Sequence, residues 1–313
     1  MCIRDRFTGE AGLEYLWGLL DTAGEYRAFW GCDPAAEVTA FEQLVDALTA
    51  AVAADPQMHV YHYAPYEPAR LKALSARLRT READVDRLLR GNVLVDLYTV
   101  VRQGLQVSKP SYSIKKLEDY YRGHTRPAGE AVSDAGASIV AFETWLRTGE
   151  QRLLDEIEEY NRDDCVSTAQ LRDWLEARRT ELLATGEPLG RPVDGDPDPS
   201  ERAVAAAAAQ DELEQRLLAG LPEAAADRDA RQQATWLLAQ QLGWHAREAR
   251  SEWWEYFRLH GLTPDELERE TTALGPLGEP ELLGARGRSV HWRYSFPPQE
   301  RQVGAFAHVR GDT

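Results

Sequence analysis

Hydrophobic residues recur at three- and four-residue steps through the middle of the amino-acid sequence, and this spacing predicts a long amphipathic helix that ends near Leu183. Tyr160 and Asp164 are four residues apart, so they project from one face of this helix, one turn apart. A carboxylate beside an apolar stripe costs desolvation energy unless a positive group meets it, and that group is a metal ion or a buried arginine. An amphipathic helix whose charges only face solvent is the alternative. The apolar stripe comprises Leu153, Leu154, Ile157, Tyr160, Thr168, Leu171, Trp174 and Leu175.

Short apolar runs bounded by turn residues predict the strands of a sheet. Residues 12–20 and 26–30 are expected to form a hairpin. The run 59–63 is rich in residues that favour strands and is typical of a central strand, and 93–97 predicts a further strand or an irregular apolar run. Residues 1–6 show no periodicity. We therefore expect the first strand of the domain to be missing and these six residues to be foreign to it.

Helix start signals occur between these strands. Asp33 and Pro34 open one helix, with proline near the first helical position. Ser113 is the N-cap candidate of another. Further helices are expected after residues 64–68, from Tyr98 to about Gln103, and around Val140, Phe142 and Trp145.

Composition divides the chain into four predicted parts. Residues 1–184 carry the alternating strands and helices of one domain. Residues 185–200 are rich in Pro, Gly and Asp and are expected to be a linker. Residues 201–285 are expected to form a mostly helical connector. Residues 286–313 are expected to begin a further, truncated domain that contains β-structure, because the alternating run 289–296 has no partner strand after it.

The formal net charge of −16 argues against broad nucleic-acid binding, which requires clustered Lys and Arg. Charge distribution weakens this objection. Three of the four lysines, Lys109, Lys115 and Lys116, fall within eight residues, so that residues 87–126 form the most basic region. A local groove can hold a strand on a globally acidic surface. The three lysines are candidates for phosphate contacts, with an ordinary solvated helix face as the alternative.

The three cysteines have unrelated spacings that match neither a disulfide framework nor a zinc site, so we expect a reducing, cytoplasmic setting. No run of about 18 apolar residues is present, which predicts no membrane span.

His59 and His62 are expected to be packed or hydrogen-bonded strand residues, and Cys165 a small buried residue. The tryptophan-rich stretch 236–257 is expected to be helical core, although such residues also stack on bases.

The order of the acidic residues is significant. One carboxylate follows a central strand and another lies on a late helix. In a two-metal nuclease, carboxylates converge from separate elements on two Mg²⁺ or Mn²⁺ ions about 3.5–4 Å apart. Residues 62–67 (HYAPYE) resemble the second motif of the DEDD exonucleases, and Tyr160-x-x-x-Asp164 resembles their third.

Five motifs in order, between residue 9 and about residue 180, more closely resemble the ribonuclease H-like domain of predicted RecB-type nucleases. Residues 232–302 resemble the segment that joins this domain to a superfamily 1 helicase in those proteins, although no Walker phosphate loop is present. The five motifs are GLEYLWG (12–18), HVYHYAPYEPARL (59–71), VDLYTVVRQGL (95–105), SYSIKKLE (111–118) and YNRDDCVSTAQLRDW (160–174).

This resemblance implies an α/β fold with a ribonuclease H-like mixed sheet of five strands flanked by helices. It also implies phosphodiester hydrolysis of DNA or RNA, from a 3′ end and with two Mg²⁺ or Mn²⁺ ions. Glu67 and Asp164 would be metal ligands, and Tyr160 would orient the attacking water. Asp163 is the alternative ligand if the helix is rotated by one position. Asp96 is a weaker candidate that could equally be a structural cap.

The first motif of the family, Asp-x-Glu, should precede Gly12, and residues 1–11 contain only Asp5 and Glu10 as acidic residues. Because metal ions are held by the number and charge of their ligands, we expect weakened metal binding and impaired catalysis. The alternatives are a non-catalytic nucleic-acid-binding or connector module of a helicase, and a degenerate domain used for protein contacts.

Overall fold

The computed structural model divides the chain into two compact units, Met1–Ala207 and Ala208–Thr313. It describes eleven stretches, and for the first of these only the backbone. They are residues 2–6, 12–123, 135–186, 189–191, 201–242, 244, 259, 262, 264–269, 273–286 and 289–299.

In the described part of the first unit, five strands form two hydrogen-bonded groups. β1 (Cys2–Arg6), β2 (Leu13–Leu20) and β3 (Tyr26–Trp30) form an antiparallel sheet in the order β1-β2-β3. β4 (Val60–His62) and β5 (Leu94–Asp96) form a parallel pair. Both strand directions of a mixed sheet are therefore present. Among the described residues, however, the two groups are not joined by a ladder, so the expected single mixed sheet of five strands is not seen.

The sequence pattern predicts no strand before residue 12, and the structure differs from this prediction at residues 2–6. These residues form β1, which pairs with β2 from Cys2 opposite Gly18 to Arg6 opposite Leu13. The register shifts between Arg4 and Asp5. Strand pairing uses backbone N–H and C=O groups, which every non-proline residue carries, so it does not require the periodic side chains that the sequence lacks here.

Helices account for most of the remaining first unit. α1 begins as predicted, because the Asp33 carboxylate accepts hydrogen bonds from the backbone N–H groups of Ala35 and Ala36. Ser113 occupies the N-cap of α5, but its side chain makes no capping hydrogen bond. The helices are α1 (Pro34–Ala54), α2 (Tyr66–Leu78), α3 (Glu82–Arg90), α4 (Leu97–Gly104), α5 (Ile114–Tyr121), α6 (Ala135–Thr148) and α7 (Gln151–Ala184).

Helices pack on both sides of β2, which is the best buried of the first-unit strands whose side chains are described. Trp17 lies in one apolar cluster with Phe41 of α1 and with α2 and α3. Tyr15 lies in a second cluster with Phe142 of α6 and Ile157 of α7, where its ring stacks on Phe142 at a centroid distance of 4.1 Å. Helix α7 also packs against β1 and β4, and thus contacts both groups of strands.

Gly18 of β2 lies against α7. A side chain at this position would overlap the amide of Asn161, and its Cβ would lie 3.0 Å from the Tyr26 ring. Asn161 is fully buried and accepts a hydrogen bond of 2.9 Å from the Tyr26 hydroxyl. The close approach of the Gly18 backbone to α7 and the hydrogen bond between Tyr26 and Asn161 together fix the rotation of α7 on the sheet.

The second unit is described in part. Its strand β7 (Ser289–Arg293) was predicted as part of 289–296, but the partner β6 (Glu281–Arg286) precedes it, which the sequence analysis missed. The other elements are α8 (Glu201–Leu218, shared with the first unit), a 3₁₀ turn (Ala225–Asp227), α9 (Ala230–Gln241) and α10 (Pro264–Arg269).

Parts of several predictions lie outside the described residues. They include most of the linker 185–200, much of the tryptophan-rich stretch 236–257 and the end of the segment 286–313. Among the helices that are described, none combines the length and the apolar character needed to cross a membrane.

Candidate functional site

The candidate site begins at the carboxyl end of β4. Because β4 and β5 are parallel and His62 pairs with Asp96, both strands end at the same edge. Ala64, two residues beyond His62, has a left-handed backbone with φ of 72°. Its N–H donates to Asp96 Oδ1 at 2.8 Å, and its carbonyl accepts from His62 Nδ1 at 2.8 Å. This strained turn is thus held from both strands.

Glu67 follows this turn as the second residue of α2 and is 6% exposed. Its Oε2 atom is buried and lies 3.7 Å from His62 Nδ1. Burial lowers the pKa of His62 below the ordinary value, and the nearby Asp96 carboxylate opposes this shift only in part. His62 therefore acts as a neutral donor to Ala64 at neutral pH, in agreement with its predicted role as a packed, hydrogen-bonded strand residue.

Helix α7 supplies Tyr160 and Asp164 from one face, as predicted. Tyr160 is 5% exposed and belongs to the apolar cluster around Tyr15. The Nζ atom of Lys115 lies 4.8 Å from the centroid of the Tyr160 ring. Asp164 is half-buried, and its Oδ1 atom is fully buried. On this face of α7, the Asp164 carboxylate therefore lies one helical turn beyond the Tyr160 ring, and the Lys115 ammonium group lies over that ring.

Asp163 has a different environment. Arg122 at the end of α5 donates to both of its carboxylate oxygens, at 3.0 and 2.5 Å. Arg122 also contacts the fully buried Glu118 at 3.3 Å, and Glu118 accepts a hydrogen bond of 2.7 Å from Ser167. Asp163 therefore belongs to a contact between α5 and α7, in which the Arg122 guanidinium group lies against its carboxylate.

Asp96 caps α4. Its Oδ1 atom accepts from the backbone N–H of Tyr98 at 2.9 Å as well as from Ala64, and its Oδ2 atom accepts from Thr99 at 3.2 Å. These contacts are those of the structural cap that was one of the two roles predicted for this residue.

The three lysines of the basic region have different surroundings. Lys115 covers Tyr160 and is half-buried, whereas Lys116 is exposed. Lys109 forms an ion pair with Asp119 at 2.5 Å, and this hydrogen bond raises the pKa of Lys109. The structure therefore brings Lys115 to the Tyr160 face, while Lys109 contacts α5.

Sequence reasoning missed several buried charges of the first unit. Glu14, Glu37 and Glu118 are fully buried in the first unit, and each lies beside an arginine. A glutamate inside the apolar strand sequence GLEYLWG was a signal of a buried ion pair, because a carboxylate at a buried strand position requires a partner.

Two of the carboxylates suit a divalent metal ion by their chemistry. Glu67 and Asp164 offer hard oxygen donors, which Mg²⁺ and Mn²⁺ prefer. In the part of the chain that is described, however, no three His, Cys, Asp or Glu side chains come together as a group that could hold a metal ion. The side chain of Asp5 and all of Glu10 lie outside that part. The described carboxylates therefore have the right chemistry but do not form a complete site.

The chain was matched to a known protein family by its sequence. A sequence model of the RNase_H superfamily matches residues 5–176, which is more than half of the chain. The matched region contains β2 to β5, α1 to α6 and most of α7, and with them Glu67, Asp96, Tyr160 and Asp164. No curated protein and no solved structure matches this chain.

Proposed function

Because the chain belongs to the RNase_H superfamily, we propose that it is a nuclease domain that hydrolyses phosphodiester bonds of DNA or RNA, acting as an exonuclease from a 3′ end. The observation that carries this proposal is the placement of two carboxylates. Glu67 follows the carboxyl end of β4, and Asp164 lies on α7, which packs against β4. The resemblance of residues 232–302 to a connecting segment supports a parent protein that also contains a helicase.

The side chains have distinct proposed roles. Glu67 and Asp164 are the two oxygen ligands that the described chain would contribute to bound Mg²⁺ or Mn²⁺, ions that supply an activated water in two-metal nucleases. Tyr160 orients the attacking water. Lys115, whose ammonium group lies over the Tyr160 ring, places a positive charge where it can contact a substrate phosphate. Asp163 has no role in this proposal, because Arg122 binds its carboxylate.

We further propose that cleavage by this chain is weak. Two carboxylates are fewer than a pair of metal ions requires, and the described residues offer no third ligand beside them. This same observation favours a second candidate function, a non-catalytic nucleic-acid-binding or connector module in a helicase-containing protein.

The test measures nucleic-acid cleavage and nucleic-acid binding with the same protein samples. Single-stranded DNA and RNA labelled at either end are incubated with the protein and Mn²⁺, and binding is followed by fluorescence anisotropy. Asp164→Asn and Glu67→Gln are compared with Glu159→Gln, which changes an exposed carboxylate on the same helix.

Shortening of 5′-labelled strands that is lost in Asp164→Asn and Glu67→Gln but kept in Glu159→Gln supports the nuclease. Cleavage that persists in Asp164→Asn contradicts the ligand assignment. Binding without cleavage in every variant supports the second candidate. The absence of both binding and cleavage contradicts both functions.

A further inference from the structure

The first turn of α2 carries Glu67 but has few local contacts that fix its orientation. The N-cap residue is Pro65, which makes no side-chain capping hydrogen bond, and the residue before it is the strained Ala64. A helix that begins without a cap leaves its first N–H groups unsatisfied within the helix, and such an end frays readily. Tertiary contacts must therefore determine where Glu67 points.

Glu14 provides such contacts from the neighbouring sheet. It lies on β2, is fully buried, and directs both carboxylate oxygens at α2. Its Oε1 atom forms an ion pair with Nε of Arg70, and its Oε2 atom accepts a hydrogen bond of 3.3 Å from the Tyr66 hydroxyl. One buried carboxylate thus binds two side chains from the first five residues of α2.

These two partners are on either side of Glu67 in the sequence. Tyr66 and Arg70 are four residues apart and share one face of α2, which the contacts with Glu14 turn toward β2. Glu67 is one residue beyond Tyr66, and therefore projects about 100° further around the helix axis. From that position it reaches His62, 3.7 Å away, at the end of β4.

We infer that Glu14 is a positioning residue for the candidate site: its contacts with Tyr66 and Arg70 fix the rotation of the first turn of α2 and so hold the Glu67 carboxylate beside the end of β4. The consequence for hydrolysis rests on the proposed function. The positioning itself does not, because it concerns contacts within the folded chain.

The energetics support a role in orientation. Taking the Glu14 carboxylate out of water is costly, and an apolar pair of similar size is often as stable as a buried ion pair or more so. An ion pair, unlike an apolar contact, requires defined atoms to meet at defined distances. Glu14 is therefore better suited to specifying a rotation of α2 than to adding stability.

A matched control for the Glu14 contact lies at the other end of α2. Glu37 of α1 is also fully buried, and it binds Arg77 at 2.6 Å. Arg77 is ten residues beyond Glu67, which corresponds to about 15 Å along the helix axis. Glu37→Gln removes the same kind of ion pair from α2 and leaves Tyr66 and Arg70 unchanged, while glutamine keeps the Oε1 oxygen that accepts from the backbone N–H of Glu14 at 2.8 Å.

The experiment is hydrogen exchange of the full chain, read on short peptides from α2. Glu14→Gln is expected to raise exchange at residues 69–72 by about tenfold, with a smaller change at 75–78. Glu37→Gln is expected to raise exchange more at residues 75–78 than at residues 69–72. If Glu14→Gln unfolds the chain, Arg70→Met tests the same contact from its partly exposed side, and Arg70→Lys, which keeps the charge, is expected to restore protection. Equal exchange at 69–72 in Glu14→Gln or Arg70→Met and in the unaltered chain overturns the inference.

Kinetics then test the consequence at the site. At one fixed Mn²⁺ concentration, Glu14→Gln is expected to lower kcat by up to about 100-fold, because small displacements of a catalytic group are costly. KM is expected to stay within about twofold, and Glu37→Gln to change neither parameter comparably. An unchanged kcat beside altered exchange overturns the link between Glu14 and the site. If the unaltered chain itself shows no cleavage, the proposed function fails, and the exchange pattern alone decides whether Glu14 positions α2.

Discussion

Arg122 binds the carboxylate of Asp163 with both terminal nitrogens of its guanidinium group, at 3.0 and 2.5 Å. Consecutive residues of a helix project about 100° apart, so this contact with α5 turns Asp164 toward a different direction. The sequence left either aspartate open as the acidic residue of the third motif. The observed ion pair favours Asp164 as the candidate ligand.

Removing the Asp163 carboxylate and removing the Arg122 guanidinium group should lower the free energy of unfolding by unequal amounts. Asp163→Asn removes a carboxylate that is about one-third exposed, with an expected cost of about 1 kcal/mol in the free energy of unfolding. Arg122→Met also removes the cation beside the fully buried Glu118, and we expect a cost of about 3 kcal/mol. Urea unfolding of both variants and of Arg162→Met, which breaks an exposed pair with Glu158 on α7, measures the difference. Equal costs for the first two variants would show that Glu118 does not depend on Arg122.

The parts of the fold that local chemistry dictates were predictable. Asp33 followed by Pro34 favours a helix start through local contacts, and the structure shows the two expected capping hydrogen bonds. The spacing of Tyr160 and Asp164 likewise fixes their common face, because helix geometry alone determines it. The β2–β3 hairpin follows from two apolar runs and the turn between them.

The rest depends on partners that are distant in the sequence. Nothing near Asp163 indicates that Arg122, 41 residues earlier, binds it. Strand β6 was missed because residues 281–286 (ELLGAR) lack strict alternation, and β1 because its sequence has no pattern at all. The sequence could not decide whether Asp96 is a helix cap or a metal ligand, because both roles place a carboxylate after a strand.

The contact of β2 with α7 predicts a strong effect at Gly18. A Cβ at this position would overlap the Asn161 amide, which is fully buried and hydrogen-bonded to Tyr26. Gly18→Ala is therefore expected to lower the free energy of unfolding by about 2–3 kcal/mol, as overpacking does in well-packed cores.

Gly104→Ala is the control for this substitution. Gly104 ends α4, and a Cβ there meets nothing within 4 Å. Because alanine favours the helix, this change should be neutral or raise stability by up to about 1 kcal/mol. Thermal unfolding compares the two variants, and a Gly18→Ala protein as stable as Gly104→Ala would contradict the close approach of β2 and α7.

Asp96 offers a test that separates a cap from a metal ligand. Asparagine keeps a side-chain oxygen that can accept from Ala64 and Tyr98, but it removes the charge. Asp96→Asn should therefore retain stability to within about 0.5 kcal/mol, whereas Asp96→Ala should lose about 1–2 kcal/mol. Cleavage measured on the same proteins completes the test. Loss of cleavage in a stable Asp96→Asn protein would show that the charge of Asp96, and not only its cap, serves the site.

Cys32 predicts a pH dependence that thiol chemistry can measure. Burial, and to a smaller extent the neighbouring Asp33 carboxylate, raises the pKa of the Cys32 thiol. The thiolate is the reactive form, so the Cys32 thiol should react more slowly at neutral pH than an unperturbed thiol. In a chain with Cys2→Ser and Cys165→Ser, the rate with a chromogenic disulfide should still be rising with pH where the rate of an unperturbed thiol, with a pKa of about 8.5, has levelled off.

The Asp33→Asn variant separates the two causes of this shift. Because burial is the larger cause, removing the charge should move the pH profile of Cys32 only part of the way toward that of an ordinary thiol. Asparagine is also a good N-cap residue, so α1 should keep its first turn and the stability should change little. A profile that levels off at the same pH as that of an unperturbed thiol, before Asp33 is changed, would mean that Cys32 is open to solvent and not packed beside Tyr15 and Trp30 in the second apolar cluster.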